Sequence, residues 1–224
     1  LQNGNASFLA EVPAGDRVQL TLPDKSSVKL NSESSLSYAY VGGKRIARLE
    51  GEGYFQVSKD TRHPFVVQVG SLNIEVLGTC FNVCSYKEND FVETSLIEGS
   101  VRLYDSKSPS ESIILKPSQK AIYSKNNGKI SFHNTDNVKE TAWIQNRLVF
   151  ESEKLGSVFQ KIERWYGVHI DLLCPEIAND QISGSFKDEQ LPYVMEALKF
   201  QYGFNYEITG NNVTINKSNQ LKIK

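Results

Sequence analysis

Hydrophobic and polar residues alternate with a period of two from the first residues to about His133. In the stretch 16–22, Val18, Leu20 and Leu22 alternate with Arg17, Gln19 and Thr21, the pattern of a strand with one face in a core. Pro23-Asp24-Lys25-Ser26 then supplies a turn, after which Val28 and Leu30 resume the alternation. Comparable short runs are predicted at 36–40, 45–49, 54–57, 65–69, 72–77, 81–86, 91–97, 101–104, 113–115, 119–124 and 129–132, punctuated by Gly42-Gly43, Glu98-Gly99 and Asn126-Asn127-Gly128. No stretch of this half shows a helical period. Many short strands at regular spacing predict an all-β N-terminal domain, built as a sandwich, a barrel or a short β-solenoid, and the pattern does not choose among them.

The period changes from about Trp143. Leu155, Val158, Phe159, Ile162 and Tyr166 fall on one face of a helix, with Ser152 placed to cap its start, Gly167 to end it, and Val168-His169-Ile170 to continue as a strand. The same phrase then recurs: Leu191, Val194, Met195, Leu198 and Tyr202 form the second face, Gly203 ends it, and Phe204 and Tyr206 follow. The pairs Phe150 and Phe186, Leu155 and Leu191, and Gly167 and Gly203 share one offset of 36 residues, which is internal repetition. Each repeat reads strand–helix–strand, and a last strand at 212–215 closes the chain. This predicts a small α+β C-terminal domain of two βαβ repeats, its helices on one side of a sheet. The polar stretch beginning at Asn134 has no apolar period. The expected organisation is therefore a β-domain over 1–135, a linker over 136–142 and the repeat domain over 143–224.

Composition narrows the function classes. The 224 residues are 39% hydrophobic and 23% charged, enough apolar material for a packed core and against disorder. The net charge of -1 supplies no positive field for phosphates, so nucleic acid is not an expected partner. No apolar run approaches 20 residues, and the chain starts at Leu1 without a Met, so a missing leader or anchor carries no message about the parent protein. The three cysteines, Cys80, Cys84 and Cys174, cannot all pair within the chain. Cys80 and Cys84 share one predicted strand, where their separation of roughly 13 Å is too long for a bridge.

Candidate chemistry is sparse. Gly51-Glu52-Gly53 is followed by the strand-like Tyr54-Phe55-Gln56-Val57 and not by a helix, so it reads as a turn or bulge and not as a phosphate loop. Glu50 and Glu52 lie on one strand face, where solvated carboxylates are the ordinary outcome; a glycosidase pair comes from separate segments around a cleft. His63, His133 and His169 stand apart from any metal or nucleophile motif, and Ser183-Gly184-Ser185 lacks the flanks of a catalytic serine. The reading is a protein without catalytic residues, cofactor or metal. Trp165, at the border of the first helical stripe, is either core or an exposed partner anchor. Val213 and Ile215 lie on the last strand, expected to be an open sheet edge able to accept a partner strand.

Seven phrases in fixed order resemble one family. They are Leu20-Thr21-Leu22-Pro23-Asp24-Lys25-Ser26-Ser27-Val28-Lys29-Leu30-Asn31, Leu49-Glu50-Gly51-Glu52-Gly53-Tyr54-Phe55-Gln56-Val57, His63-Pro64-Phe65-Val66-Val67, Val76-Leu77-Gly78-Thr79-Cys80-Phe81-Asn82-Val83, Leu96-Ile97-Glu98-Gly99-Ser100-Val101, Leu115-Lys116-Pro117-Ser118-Gln119-Lys120-Ala121 and Glu163-Arg164-Trp165-Tyr166-Gly167-Val168. Together they resemble the FecR family of anti-sigma regulators as found in Bacteroidetes-type bacteria, over nearly the whole chain. Lys25 stands where the family usually has Gly, and Gly53 where it commonly has Ala.

The resemblance implies a single-pass inner-membrane protein whose cytoplasmic segment binds an extracytoplasmic-function (ECF) sigma factor. Its periplasmic region senses the signalling domain of a TonB-dependent outer-membrane transducer. This chain would be the periplasmic, signal-receiving region, with the cytoplasmic segment and the N-terminal membrane helix outside it. The repeat domain is similar to the secretin-and-TonB short N-terminal domain. Three rival readings compete: a carbohydrate-binding or adhesive β-domain of the cell envelope, with Tyr38, Tyr40, Tyr54 and Phe55 as its platform; a structural subunit of an export or secretin-like complex, argued from the repeat alone; and a hydrolase, which would require a catalytic triad the sequence does not display.

Overall fold

The structure is a computed structural model that describes residues 8–217. The strands of the first part are β1 Phe8–Val12, β2 Val18–Thr21, β3 Ser27–Leu30, β4 Ser34–Val41, β5 Lys44–Gln56, β6 Phe65–Val69, β7 Leu72–Val76, β8 Cys80–Ser85, β9 Phe91–Glu98, β10 Val101–Asp105, β11 Ser112–Leu115, β12 Gln119–Ser124 and β13 Ile130–Asn134. A short helix α1, Val138–Thr141, follows, and then a 3-10 turn at Ala142–Gln145. The remainder holds β14 Arg147–Lys154, α2 Leu155–Tyr166, β15 His169–Leu172, a 3-10 turn at Pro175–Asn179, β16 Gln181–Lys187, α3 Leu191–Tyr202, β17 Phe204–Thr209 and β18 Asn212–Lys217. The chain divides into two compact units at Thr141 and Ala142, with Ala14–Asp16 grouping with the second.

The first unit is organised by β5. Its first half, through Glu50, pairs antiparallel with β4 and parallel with β6, while its second half, from Gly51, pairs antiparallel with β3 and β8. One layer thus runs β1-β4-β5-β6-β7-β10-β11 and the other β2-β3-β5-β8-β9-β12-β13, continuous through β5 as one curled sheet. The inward residues of both layers form a single core. Phe55 spans it: its ring stacks on Phe81 of β8 at 5.1 Å and meets Phe65 of β6 edge-on at 6.2 Å.

This geometry corrects one expectation. Gly51-Glu52-Gly53 is not a turn, and the two runs expected at 45–49 and 54–57 are one strand. Gly51 has φ 92, and a Cβ there would strike Ser34 Oγ and stand 2.7 Å from the Glu33 carbonyl. A side chain is thus excluded both by the left-handed backbone and by the crossing chain. β1 was not among the predicted runs; Leu9 is 66% exposed and breaks an otherwise inward set of Phe8, Ala10 and Val12.

In the second unit the leading strands of the two repeats, β14 and β16, pair with each other antiparallel. The trailing strands form a separate sheet in the order β15-β18-β17. The expected single sheet is therefore two small ones, and both helices share one core with them through Leu148, Phe159, Ile162, Met195, Leu198, Phe204 and Val213. Gly167 and Gly203 end the helices as anticipated, at φ 66 and 68, their N–H groups donating to Glu163 O and Lys199 O at 2.9 Å each. Ser152 is not the cap. It lies within β14 at φ 48, where the pairing with β16 shifts register, and the strand continues to Lys154, so α2 opens only at Leu155.

The stretch 136–142, read from sequence as a linker, carries α1, and Glu140 within it is buried.

Candidate functional site

The recognisable phrases of the first unit meet in polar networks. Asp24 sits in the β2–β3 turn, where its carboxylate accepts the Ser26 N–H at 3.1 Å and the Ser26 hydroxyl at 2.7 Å. Arg45, its side chain only 3% exposed, bonds Asp24 at 2.8 Å, and its guanidinium also donates to the carbonyls of Ser58 and His63 at 2.8 Å each. Its charge stands 5.4 Å from the Phe65 ring. Lys25 has φ 69, so this turn requires the left-handed conformation that Gly adopts freely and Lys does not. Glu52 accepts amide hydrogens from Asn31 at 2.8 Å and Asn82 at 3.0 Å, which ties three of the phrases to one carboxylate. Glu50 pairs with Lys87 at 2.6 Å on the surface. These residues act as braces between strands, and the two glutamates have separate surroundings.

His63 and His169 sit beside carboxylates. His63 Nδ1 is 2.7 Å from Asp60 Oδ2; that bond, with the Arg62 N–H, holds the Asp60 carboxyl down at about 2. The His169 ring lies between Glu163 at 3.0 Å and Asp171 at 3.1 Å, and Glu163 also accepts the Ile170 N–H at 2.7 Å, which fixes the start of β15. His133 is exposed on β13. Among the described residues no group of three or more His, Cys, Asp or Glu could hold a metal ion. All three cysteines are free thiols. Cys80 Sγ lies 2.7 Å from the Tyr54 hydroxyl, and burial pushes both the Cys80 thiol and the Tyr54 phenol up, which suppresses thiolate chemistry. Burial likewise raises the Cys174 thiol.

The proposed partner residues fall in different places. Trp165 is half-buried on α2 and packs against the second core. Val213 and Ile215 are fully buried, and their strand is no edge. Val213 stands opposite Ile170 of β15 on one side and Ile208 of β17 on the other, so β18 is the middle strand of its sheet. The expectation of an open edge there is corrected: the parallel return of β15 occupies the side that sequence order leaves vacant. The open edges of the second unit, among the described residues, belong to β14, β15, β16 and β17.

Sequence reading passed over the exposed face of α3. Tyr193 is 61% and Phe200 93% exposed, seven residues and so two turns apart. The opposite face buries Val194, Met195 and Leu198, while Tyr206 of β17 braces the flank by donating to Glu196 at 3.2 Å. The signal was present in the sequence, because apolar residues surround α3 while α2 has a single stripe. The aromatic platform suggested for the first unit does not form: Tyr38 and Phe55 are buried, and Tyr54 is engaged with Cys80. Among the described residues no helix is long and apolar enough to cross a membrane.

Comparison with known proteins follows the same division. Residues 9–102 match the family model described as FecR protein, and residues 147–215 match that described as FecR, C-terminal. Two crystal structures of a candidate anti-sigma factor from Parabacteroides distasonis, at 1.65 and 2.50 Å resolution, are each 30% identical to this chain with a TM-score of 0.82. The alignments cover 94% and 95% of this chain and 99% of each of those. No curated protein matches the sequence.

Proposed function

The chain belongs to the FecR family, and from that premise we propose that it is the periplasmic, signal-receiving region of a single-pass inner-membrane anti-sigma regulator. In this reading it relays the state of a TonB-dependent outer-membrane transducer to an ECF sigma factor bound by a cytoplasmic segment outside this chain. One observation carries the reading: one family model falls on each compact unit, and the likeness to a candidate anti-sigma factor extends over nearly the whole length. The arrangement of charge agrees with recognition and not catalysis. Asp24, Glu52 and Glu163 of the recognisable phrases are engaged in holding neighbouring segments together, and burial raises the Cys80 and Cys174 thiols.

The partner is the transducer's signalling domain, and the surface it uses lies on the second unit. Tyr193 and Phe200 present the largest exposed apolar side chains of α3, where docking gains most from desolvation. Docking there is recognition without chemistry, and its free energy biases a signalling equilibrium as far as the partner binds one state better than the other. The carbohydrate-binding alternative loses its platform with the burial of Tyr38 and Phe55.

The test uses the full-length regulator in cells carrying a reporter under its sigma factor. Phe200→Glu is expected to uncouple the reporter from the transducer's inducer while the protein accumulates normally. An unchanged induction curve in both Phe200→Glu and Tyr193→Glu would remove α3 as the receiving surface.

A further inference from the structure

The end of the first unit is held by a construction unlike the rest of its core. Residues 135–141 follow β13 and contain α1, whose four residues are too few to be stable alone. The segment is not fastened by apolar burial: Val138 is 56% exposed, and the one buried side chain is the charged Glu140. That carboxylate accepts Lys120 Nζ of β12 at 2.7 Å and the Thr135 hydroxyl at 3.0 Å, and Lys120 also pairs with Glu93 of β9 at 3.2 Å.

A second fastening lies beside the first. The Leu96 carbonyl of β9 accepts both the Ser118 N–H at 3.1 Å and the Asn137 side-chain amide at 3.2 Å, while the Thr135 N–H donates to Ser118 O at 2.9 Å. Ser118 and Asn137, one on each side of this junction, have φ 63 and 62. Left-handed backbone in residues other than glycine persists only where the surroundings enforce it. The strain at Asn137 is therefore relieved when the segment lets go.

We propose that residues 135–141 form a releasable strap, clasped onto β9 and β12 by the Lys120–Glu140 pair and the shared Leu96 carbonyl, that detaches while the sheet beneath it stays folded. The physics favours local release over unfolding. A buried ion pair adds little net stability while intact, and loss of one partner leaves a costly unpaired charge. In the middle of a sheet that cost falls on the whole fold. Here Glu140 reaches water if seven residues detach, and no strand has to break. The strap ends where the second unit begins.

Amide hydrogen exchange on the whole chain tests this. In the wild type the amides of Thr135 and Thr141, which bond Ser118 O and Asn137 O, should exchange at least tenfold faster than those of β9 and β12. Lys120→Met should accelerate the strap amides by a further ten- to hundredfold and leave the two strands unchanged. A Lys120→Met, Glu140→Leu double variant, which replaces the charges with apolar groups, should restore protection. Strap amides as protected as β12 in the wild type would overturn the proposal. So would loosening of β9 and β12 in step with the strap, or a Lys120→Met chain that does not fold, since the pair would then be holding the sheet itself.

Discussion

The handover of β5 between two layers makes Gly51 the most demanding position of the first unit, and Gly51→Ala measures how demanding. Two costs arise. An alanine at φ 92 occupies backbone space that L-residues rarely adopt, worth about 1–3 kcal/mol. Its methyl would also stand within 2.7 Å of both the Glu33 carbonyl and the Ser34 Cα. Those are backbone atoms of the turn into β4, so relief requires moving a strand; overpacking of that kind costs about 1–3 kcal/mol. The expected loss is therefore about 2–6 kcal/mol of the first unit's stability. Both tryptophans, Trp143 and Trp165, lie in the second unit, so urea unfolding read by tryptophan fluorescence and by circular dichroism at a β-sheet wavelength separates the two. The dichroism transition should move to lower urea and the fluorescence transition should stay. Gly184→Ala is the control, because a Cβ there meets nothing within 4 Å. A Gly51→Ala loss below about 1 kcal/mol would show that β5 crosses between the layers without needing glycine.

Other consequences follow from the same geometry. Lys25→Gly, which restores the residue the turn conformation favours, should raise first-unit stability by about 0.5–1 kcal/mol in the same assay. Burial pushes the Glu140 carboxyl up, but the Lys120 and Thr135 bonds outweigh it and hold the group below the usual carboxylate range. A lowered folded value means its contribution is present above the unfolded carboxylate pKa and lost as pH falls through the folded one. The protection factors of the strap amides, taken relative to intrinsic exchange at each pH, should accordingly fall on acidification below about pH 4, and this loss should vanish in Glu140→Gln. Val213→Arg, which buries a charge in the middle strand of the second sheet, should unfold the second unit, as seen by loss of its tryptophan transition. Phe200→Glu, on exposed α3, should leave that transition within about 0.5 kcal/mol of wild type.

Much of the fold was legible because its strands obey simple alternation. The predicted runs at 65–69 and 119–124 coincide with β6 and β12, and the two helices end at the glycines that the repeat marked. What escaped depended on pairing between distant segments. A Gly-Glu-Gly phrase looks alike in a turn and in a strand that changes layers; only Ser34 and Glu33, brought against it by β4, decide the matter. The last strand seemed an edge because sequence order places it at the end, yet parallel pairing with β15 closes its free side. The surface of the second unit was legible only in part: core packing was one of the two readings of Trp165, while Val213 and Ile215 were expected on an open edge. Trp165, Val213 and Ile215 are prominent in the sequence and pack against or within the core, whereas Phe200 blends into an apolar helix and stands 93% exposed. The Lys120–Glu140 clasp joins residues 20 apart in sequence, with no motif to announce it.

Titration calorimetry of this chain against isolated signalling domains of TonB-dependent transducers from the same cell tests the central claim most directly. Saturable one-to-one binding to one of them, lost in Phe200→Glu with an unchanged melting profile, is the outcome the account expects. Absence of binding to every such domain, by a chain whose two unfolding transitions are intact, would contradict it.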